Sequence, residues 1–209
     1  MSETKNGTIK LVSNDEKNFE VDFKTAIMSE LLESILVSSS SSGTDDDEDE
    51  EDDLHVINRI PEVFLPNVNS AVLAKVLEFC KYHATYGPMK EIEKPLKSDN
   101  MVDLVDQWDA KFVSIERWSD DAKIAMSMLF ELISAANFMN IKSLLDLCGA
   151  KVAIEIKGKT PEEIRDTFDI VNDFSQAVHT KIRLENEALR EWTHSAIQLL
   201  SSNLVLSYH

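Results

Sequence analysis

TIKLVSNDEKNFEVDF, residues 8–23, decides how the fold of this chain begins. Apolar and polar residues alternate over 8–13 and again over 18–23, and the segment Asn14–Lys17 between them is polar. Such alternation is typical of a strand with one buried face, and a short polar segment between two such runs indicates a turn. The stretch therefore predicts a β-hairpin with strands at 8–13 and 18–23.

The patterns that follow the hairpin are mostly helical. Ser29 is an N-cap residue before an apolar helical face over 29–36, and EVFLPNV (62–68) predicts a third strand that ends at Pro66. Asn69 then caps a helix that starts at residue 70, and further helices are predicted near residues 108–113, from 120 and from 141. A few early strands followed by helices define an α+β fold, and the strands are too few for a doubly wound nucleotide-binding sheet.

Two segments lack an apolar pattern. Residues 38–53, SSSSSGTDDDEDEEDD, contain no apolar side chain and are predicted to form a disordered acidic loop. Residues 87–107 are predicted to form a second, flexible loop.

The charge of the chain restricts its partners. Of 38 acidic residues, nine lie in the run 45–53; the remaining 29 against 21 basic residues still leave a net charge of −8. Phosphate backbones and anionic membrane surfaces need clustered Lys and Arg, so we expect no direct nucleic-acid or membrane partner. No stretch approaches the ~20 apolar residues of a membrane span.

The cysteines and the N-terminus predict a reducing compartment. Cys80 and Cys148 lie far apart within apolar helical patterns, which favours two buried thiols over a disulfide. The first ten residues have no apolar core of a signal peptide. We therefore expect a cytoplasmic and nuclear protein.

Motifs for catalysis or metal binding fail on spacing. Gly158-Lys159-Thr160 matches the end of a phosphate-binding loop, but Ala153 occupies the position where that loop requires glycine. The five histidines show no paired metal-ligand spacing, and His83 is interpreted as a half-buried packing residue. We expect no enzyme activity, no cofactor and no metal.

The segment KGKTPEEIRDTFDIVNDF (157–174) carries a clear helix signal. Thr160, Pro161 and Glu163 form a capping box with proline at the first helical position, which predicts a short helix over 161–167. Large apolar residues continue from here into a last helix near Ser175. They either complete the core or form an apolar surface that binds another protein, and their spacing leaves both open.

Several blocks of the chain resemble one family. LPNVNSAVLAKVLEFCKYH (65–83), WDAKFV (108–113), LFELISAANFMNIKSLLD (129–146) and IKGKTPEEIRDTFDIVNDF (156–174) are similar to the S-phase kinase-associated protein family, the adaptors of SCF ubiquitin ligases. The resemblance covers roughly residues 8–187. It implies a BTB/POZ-type cullin-binding domain over 1–140, a helical F-box-binding extension over 141–192 and an atypical tail over 193–209.

The resemblance also implies a function without catalysis. The chain would bridge a cullin N-terminal domain to interchangeable F-box receptors for ubiquitin-dependent degradation. A divergent paralogue that binds F-box proteins in a cullin-independent, kinetochore-type complex is the alternative. The free chain would form a weak homodimer.

Residues are carried over where the motifs match. The cullin-facing residues would be Phe130, Asn137, Phe138 and Met139. The F-box-facing residues would be Leu145, Val152, Ile156, Ile164, Ile170, Phe174, Val178, Ile182 and Trp192. Pro161 matches a proline that is hydroxylated and glycosylated in some protist relatives, so it is a candidate modification site.

Three departures from the family concern the partners. Residues 116–127 include extra residues that lead into the cullin-facing helix. Ala188 replaces a tryptophan that normally contacts the F-box, and Trp192, one turn further on the same face, is expected to take its place. The tail after residue 192 either extends the last helix or is loose.

Overall fold

A computed structural model describes residues 7–40, 62–114, 118–119 and 121–206. Within these ranges the chain forms the following strands and helices: β1 Thr8–Ser13, β2 Asn18–Asp22, α1 Phe23–Ala26, α2 Glu30–Ser40, β3 Glu62–Leu65, α3 Ser70–Tyr86, α4 Met101–Leu104, α5 Gln107–Phe112, α6 Ala122–Phe138, α7 Lys142–Ile156, α8 Pro161–Phe168 and α9 Gln176–Leu206. The chain divides into two compact units, Met1–Asp169 and Ile170–His209. The predicted α+β class is confirmed.

The described strands form a three-stranded sheet in the order β2-β1-β3. β1 pairs antiparallel with β2, with Leu11 opposite Phe19, so the predicted hairpin is confirmed. β1 pairs parallel with β3, with Leu11 opposite Val63. Alternate residues of β1 are buried, because one face of the sheet packs on the helices.

The hairpin turn also holds the start of α3. The carboxylate of Asp15 accepts hydrogen bonds from the Ser70 hydroxyl at 2.6 Å and the Ser70 N–H at 2.8 Å. Hydrogen bonds from Ser70 and Ser13 hold the pKa of Asp15 far below its ordinary value. Asn69 caps the same helix as predicted, because its side chain accepts from the Val72 N–H at 2.9 Å.

The core of the first unit lies between the sheet and helices α3, α6 and α7. Its fully buried side chains include Leu73 and Phe79 of α3, Leu129 and Leu132 of α6, and Leu144 of α7. Because α7 packs on α6 within this core, the first compact unit continues to Asp169. The domain bounds that the resemblance implies stay a prediction.

Of the two predicted loops, one lies mostly outside the described residues and the other contains a helix and buried side chains. Most of the acidic segment 38–53 lies outside the described residues, and residues 38–40 belong to α2. The predicted flexible loop 87–107 contains helix α4, and Ile92, Leu104 and Val105 within it are buried. With Met101, which is also buried, these apolar residues attach the loop to the core.

A buried charged pair joins α3 to α5. The side chains of His83 and Asp109 are 3% and 1% exposed, and His83 Nε2 lies 2.8 Å from Asp109 Oδ1. His83 Nδ1 lies 2.9 Å from the carbonyl oxygen of Gly87. The ring also packs against Phe79 and Trp108. His83 is thus a packing residue, as predicted, but it is fully buried.

Burial lowers the pKa of His83, but the opposing effects are stronger. Hydrogen bonds to Asp109 and Gly87, with the negative charges of Asp109 and Asp106, raise the pKa of His83 above its ordinary value. Because both ring nitrogens face acceptors, only the imidazolium form donates to both. The pair is therefore a buried imidazolium–carboxylate contact.

The prediction of two buried thiols is confirmed. Cys80 and Cys148 are both free and buried. Burial raises the pKa of each thiol to about 12, so both are protonated at neutral pH.

The second unit consists of an irregular segment and the 31-residue helix α9. His179 Nε2 lies 2.7 Å from Asn172 Nδ2 and 2.9 Å from Asn172 Oδ1, so one hydrogen bond joins the two side chains. The rings of Phe174 and His179 are in edge contact. α9 continues to Leu206, so the tail extends the last helix. None of the described helices is long and apolar enough to cross a membrane.

Candidate protein-binding surfaces

Helix α6 presents one exposed face to solvent. Asp121 caps its start by accepting from the Lys123 N–H at 2.9 Å. Phe130, Ser134 and Asn137 follow at i, i+4 and i+7, and therefore lie on one side of the helix. Phe130 is 41% exposed, a high value for a phenylalanine within a core-packed helix. We call this the α6 face.

The cullin-facing residues predicted from the resemblance divide into exposed and buried ones. Phe130 and Asn137 are exposed, and Phe138 is half-buried beside the core. Met139 is only 1% exposed. Its carbonyl oxygen accepts from the Ser29 hydroxyl at 2.6 Å, which holds the end of α6 against the start of α2. Met139 is therefore a core residue of this structure, and its predicted role in cullin binding stays a prediction.

A cleft of about 450 Å³ opens beside the α6 face. Its floor contains the rings of Phe130 and Phe168, whose centroids lie 5.5 Å apart. Its lining residues come from the β3–α3 turn, α6 and the end of α8: Asn67, Val68, Asn69, Val72, Lys123, Ser127, Phe130, Glu131, Ser134, Phe168 and Asp169. All of them belong to the first unit. The cleft is thus a mixed aromatic and polar site.

Polar contacts hold the rim of this cleft. The Asn69 amide donates to Glu131 Oε2 at 2.6 Å, and Lys123 forms an ion pair with Asp169. A hydrogen bond and the charge of Asp169 raise the pKa of Lys123, so the lysine is charged at neutral pH. Sequence reasoning missed most of this rim, because its members lie in three distant segments. The only sequence signal was the cap residue Asn69.

The predicted F-box-facing residues of the first unit lie on α7 and α8. Leu145, Val152 and Ile156 recur at i, i+7 and i+11, so they form one stripe along α7. Leu145 and Val152 are half-buried against the core, whereas Ile156 is exposed. Ile164 on α8 is half-buried. Ile156 therefore offers exposed apolar surface at the end of α7, and the other three residues offer part of theirs.

The predicted residues of the second unit are all exposed. Ile170 and Phe174 lie before α9, and Val178, Ile182 and Trp192 lie on it; their exposed fractions run from 39% for Ile182 to 70% for Trp192. Val178, Ile182 and Trp192 share one side of α9, since 100° per residue places them within one narrow stripe. We call this the α9 stripe.

Sequence reasoning missed one member of the α9 stripe. Leu189 is seven residues after Ile182 and is 60% exposed on the same side. The i+7 spacing was the available signal. Glu185 interrupts the stripe between them.

The capping box at the start of α8 is confirmed. Glu163 Oε2 accepts from the Thr160 N–H at 2.8 Å, and Thr160 Oγ1 accepts from the Glu163 N–H at 3.3 Å. Hydrogen bonds from the backbone N–H and the side chain of Thr160 to the Glu163 carboxylate lower the pKa of Glu163. Pro161 occupies the first helical position and is exposed, as a modification site requires.

The phosphate-loop fragment has a structural role. Gly158 adopts a φ of 76° in the connection between α7 and α8, which glycine allows without strain. Lys159 Nζ donates to Thr167 Oγ1 at 3.0 Å and lies 3.5 Å from Glu155. Its amine therefore supports α8. Within the described ranges, no group of His, Cys, Asp or Glu could hold a metal ion.

Two family models match this chain. The Skp1 family tetramerisation domain matches residues 7–85, and the Skp1 family dimerisation domain matches residues 142–189. Helix α6 lies between the two matched segments. The first match contains the sheet and α3, and the second contains α7 and α8.

Curated relatives agree with this assignment. The S-phase kinase-associated protein 1 homolog of Tetrahymena thermophila is 43% identical over 185 residues, which cover 88% of this chain and 95% of that protein. Suppressor of kinetochore protein 1 of Schizosaccharomyces pombe is 38% identical over 181 residues, covering 86% and 95%. The E3 ubiquitin ligase complex SCF subunit sconC of Arthroderma otae is 44% identical over 123 residues, covering 59% and 68%. The chain belongs to the Skp1 family.

Proposed function

We propose that this protein is a non-catalytic adaptor of an SCF-type E3 ubiquitin ligase. It joins a cullin N-terminal domain to F-box substrate receptors, so that receptor-bound substrates are ubiquitinated and degraded. The observation that carries the proposal is that a member of this family presents an exposed surface in each unit: the α6 face in the first and the α9 stripe in the second. A relative of 44% identity bears the name of an SCF subunit, which supports the assignment.

The α6 face is the proposed cullin-binding surface. Phe130 supplies an exposed aromatic ring, and Asn137 supplies an exposed amide about two turns further along the same face. Aromatic anchors surrounded by polar groups carry most of the energy in protein interfaces. Phe138 contributes the accessible edge of its half-buried ring.

The F-box receptor is proposed to bind the accessible apolar residues of α7, α8 and the second unit. A helical motif with an apolar side fits such surfaces, because helix-in-groove association reads residues at i, i+3, i+4 and i+7. In the second unit Ile182 follows Val178 by four residues, Leu189 follows Ile182 by seven, and Trp192 follows Leu189 by three. Burial of these exposed side chains supplies the driving force.

The mechanism is positional. An adaptor that holds the scaffold and the receptor at once makes substrate and ubiquitin-loaded enzyme effectively intramolecular, which raises their effective concentration to about millimolar. No side chain of the adaptor takes part in the chemistry under this proposal. We propose that it acts in the cytoplasm and nucleus, and that the free chain self-associates weakly through its exposed apolar residues.

The cullin-independent, kinetochore-type alternative is not favoured over this proposal. One relative is named a suppressor of kinetochore protein, while others carry SCF names. A direct cullin-binding measurement separates the two functions.

The test uses the full chain, a cullin N-terminal domain and an F-box domain in two separate titrations. The double variant Asn137→Lys, Phe138→Lys should lose cullin binding and keep F-box binding, because it places one charge on the α6 face and one at the accessible edge of Phe138 beside it. Thermal unfolding of the variant checks that the fold is intact. Loss of both partners in a folded variant, or of neither, would refute the assignment of the α6 face.

A further inference from the structure

We propose that a cleft between α4, α5 and α7 binds a small organic anion that combines an apolar body with one carboxylate. The proposal is independent of the adaptor function, because it assigns a ligand to the first unit and no partner protein. The cleft has a volume of about 570 Å³, which lies within the ~300–1,000 Å³ of small-molecule sites. Its lining residues are Asp99, Asn100, Met101, Val102, Gln107, Ala110, Lys111, Ser114, Lys151, Ile154 and Glu155. We call it the α5 cleft.

The apolar residues of the α5 cleft come from all three helices. Val102 of α4 is 56% exposed, and Ala110 of α5 and Ile154 of α7 are half-buried. Met101 is buried and also lines the cleft. A ligand with an apolar body removes this accessible surface from water when it binds, and the hydrophobic effect favours that burial. The lining therefore fits an apolar body.

Both carboxylates of the α5 cleft already contact lysines. The Glu155 carboxylate lies 2.7 Å from Lys151 Nζ and 3.5 Å from Lys159 Nζ. Burial raises the pKa of Glu155, but the hydrogen bond and charge of Lys151 and the charge of Lys159 lower it below its ordinary value, so Glu155 is ionised at neutral pH. Asp99 forms an ion pair with Lys157. Two carboxylates thus face three lysines, and the cleft has little remaining attraction for a cation.

Lys111 supplies a further positive charge that no carboxylate engages. It lies on α5, is exposed, and its ammonium group has no ion-pair or hydrogen-bond partner within the described part of the chain. Gln107 and Ser114 add neutral polar groups to the same wall. Asp103 and Asp106 are close in sequence, but neither lines the cleft. One free ammonium group matches one negative charge, so a monocarboxylate fits better than a phosphate dianion or a cation.

The segment that forms one wall of the cleft is held against α7. Lys94 Nζ lies 2.7 Å from Asp146 Oδ1, and the ion pair of Lys157 with Asp99 makes a second link between this segment and the end of α7. The walls from α4 and α5 lie outside both segments that the family models match. The cleft is thus preformed, and the family match assigns no ligand to it.

The experiment titrates the full chain, labelled with nitrogen-15, and follows its backbone amide signals by NMR. Sodium 4-phenylbutyrate is the probe, 4-phenylbutan-1-ol is its neutral match, and phenyl phosphate supplies the dianion. Lys111→Gln removes the free charge, and Val102→Ser removes exposed apolar surface. Lys90→Gln is the matched control, because Lys90 is an exposed lysine that does not line the cleft. Circular dichroism checks that each variant is folded.

We expect 4-phenylbutyrate to bind the wild type with a dissociation constant of about 1–5 mM, as the usual affinity per ligand atom predicts. The amides that shift should belong to α4, α5 and α7. The alcohol should bind the wild type about threefold more weakly, and so should 4-phenylbutyrate bind Lys111→Gln, because each change removes one partner of the charge contact. Val102→Ser should weaken binding about twofold or more, whereas Lys90→Gln should leave it unchanged.

Several results would overturn the site. No saturable shift below about 20 mM, equal binding of the acid and the alcohol, or equal losses in Lys111→Gln and Lys90→Gln would refute it. Shifts centred on other helices would refute it as well, because the ligand would then bind elsewhere. Tighter binding of phenyl phosphate would overturn the assignment to a monocarboxylate. None of these results bears on the adaptor function, which the cullin and F-box titrations test separately.

Discussion

Removing the carboxylate of Asp109 should destabilise the first unit strongly. In the folded protein Asp109 is the counter-charge for His83, whose side chain is 3% exposed. The substitution Asp109→Ala leaves the imidazole of His83 buried without its partner and opens space beside Trp108 and Phe112. Since α3 packs directly on α6, the change weakens the body that carries the α6 face.

The size of the effect follows from the burial of the pair. Removing one partner of a buried ion pair costs about 3–5 kcal/mol. For a chain of this size, 1 kcal/mol shifts the unfolding temperature by about 2–4 °C, so the expected loss is roughly 6 °C or more. Asp106→Ala is the matched control. It removes a carboxylate at the exposed N-cap of the same helix, where its side chain makes no cap hydrogen bond, and should cost about 0.5 kcal/mol or less.

The pH dependence gives a second readout. The pKa of His83 is raised above its ordinary value of ~6.5, so protonated His83 stabilises the folded state. This contribution is fully present below pH ~6.5 and is lost as the pH rises through the raised pKa. The difference in unfolding free energy between the wild type and Asp109→Ala should therefore be largest below pH ~6.5. It should decrease as the pH rises through the raised pKa of His83.

Urea unfolding, monitored by tryptophan fluorescence and circular dichroism between pH 6 and 9, measures both effects. Trp108 reports on the site because its ring lies 5.7 Å from the His83 ring. A loss below about 1 kcal/mol in Asp109→Ala, or a gap that widens as the pH rises, would refute the buried imidazolium–carboxylate pair.

Three further predictions concern the receptor side and α8. Ile182→Asp should abolish F-box binding in a pull-down and spare cullin binding. Leu184→Asp is the matched control, because it places the same charge about 200° around the same helix, and it should spare both partners. Equal losses of F-box binding in the two variants would exclude the α9 stripe from the interface. Trp192→Ala should weaken F-box affinity about tenfold in calorimetry. Its unfolding temperature should stay unchanged, because the Trp192 ring is already 70% exposed. Unchanged affinity would remove Trp192 from the interface. Thr160→Ala should destabilise α8 by about 1 kcal/mol, whereas Thr160→Ser should keep most of the stability of this helix. Hydrogen exchange of the α8 amides measures the change. Unchanged protection in Thr160→Ala would contradict the role of the capping box.

Features with local causes were predictable from the sequence. The hairpin follows from alternation over 8–23, and the α8 capping box follows from three residues within four positions. The caps by Asn69 and Ser29 are equally local. The four-residue helices α1 and α4 were missed, because they are too short to show a helical repeat.

Features with distant causes were not predictable. His83 and Asp109 are 26 residues apart, and the helical pattern around each residue does not show that the two side chains meet. Met139 matched a partner-facing motif, yet Ser29, 110 residues earlier, holds the end of α6 in the core. The cleft combines residues near 68, 127 and 168, so its existence depends on the tertiary fold.

The central claim is that one chain holds a cullin and an F-box receptor simultaneously at different surfaces. Sedimentation velocity on an equimolar mixture of this protein, a cullin N-terminal domain and an F-box domain measures this directly. A single ternary species with one copy of each is predicted, with cullin affinity unchanged by the bound receptor. Two separate binary complexes that compete for the adaptor, and no ternary species, would contradict it.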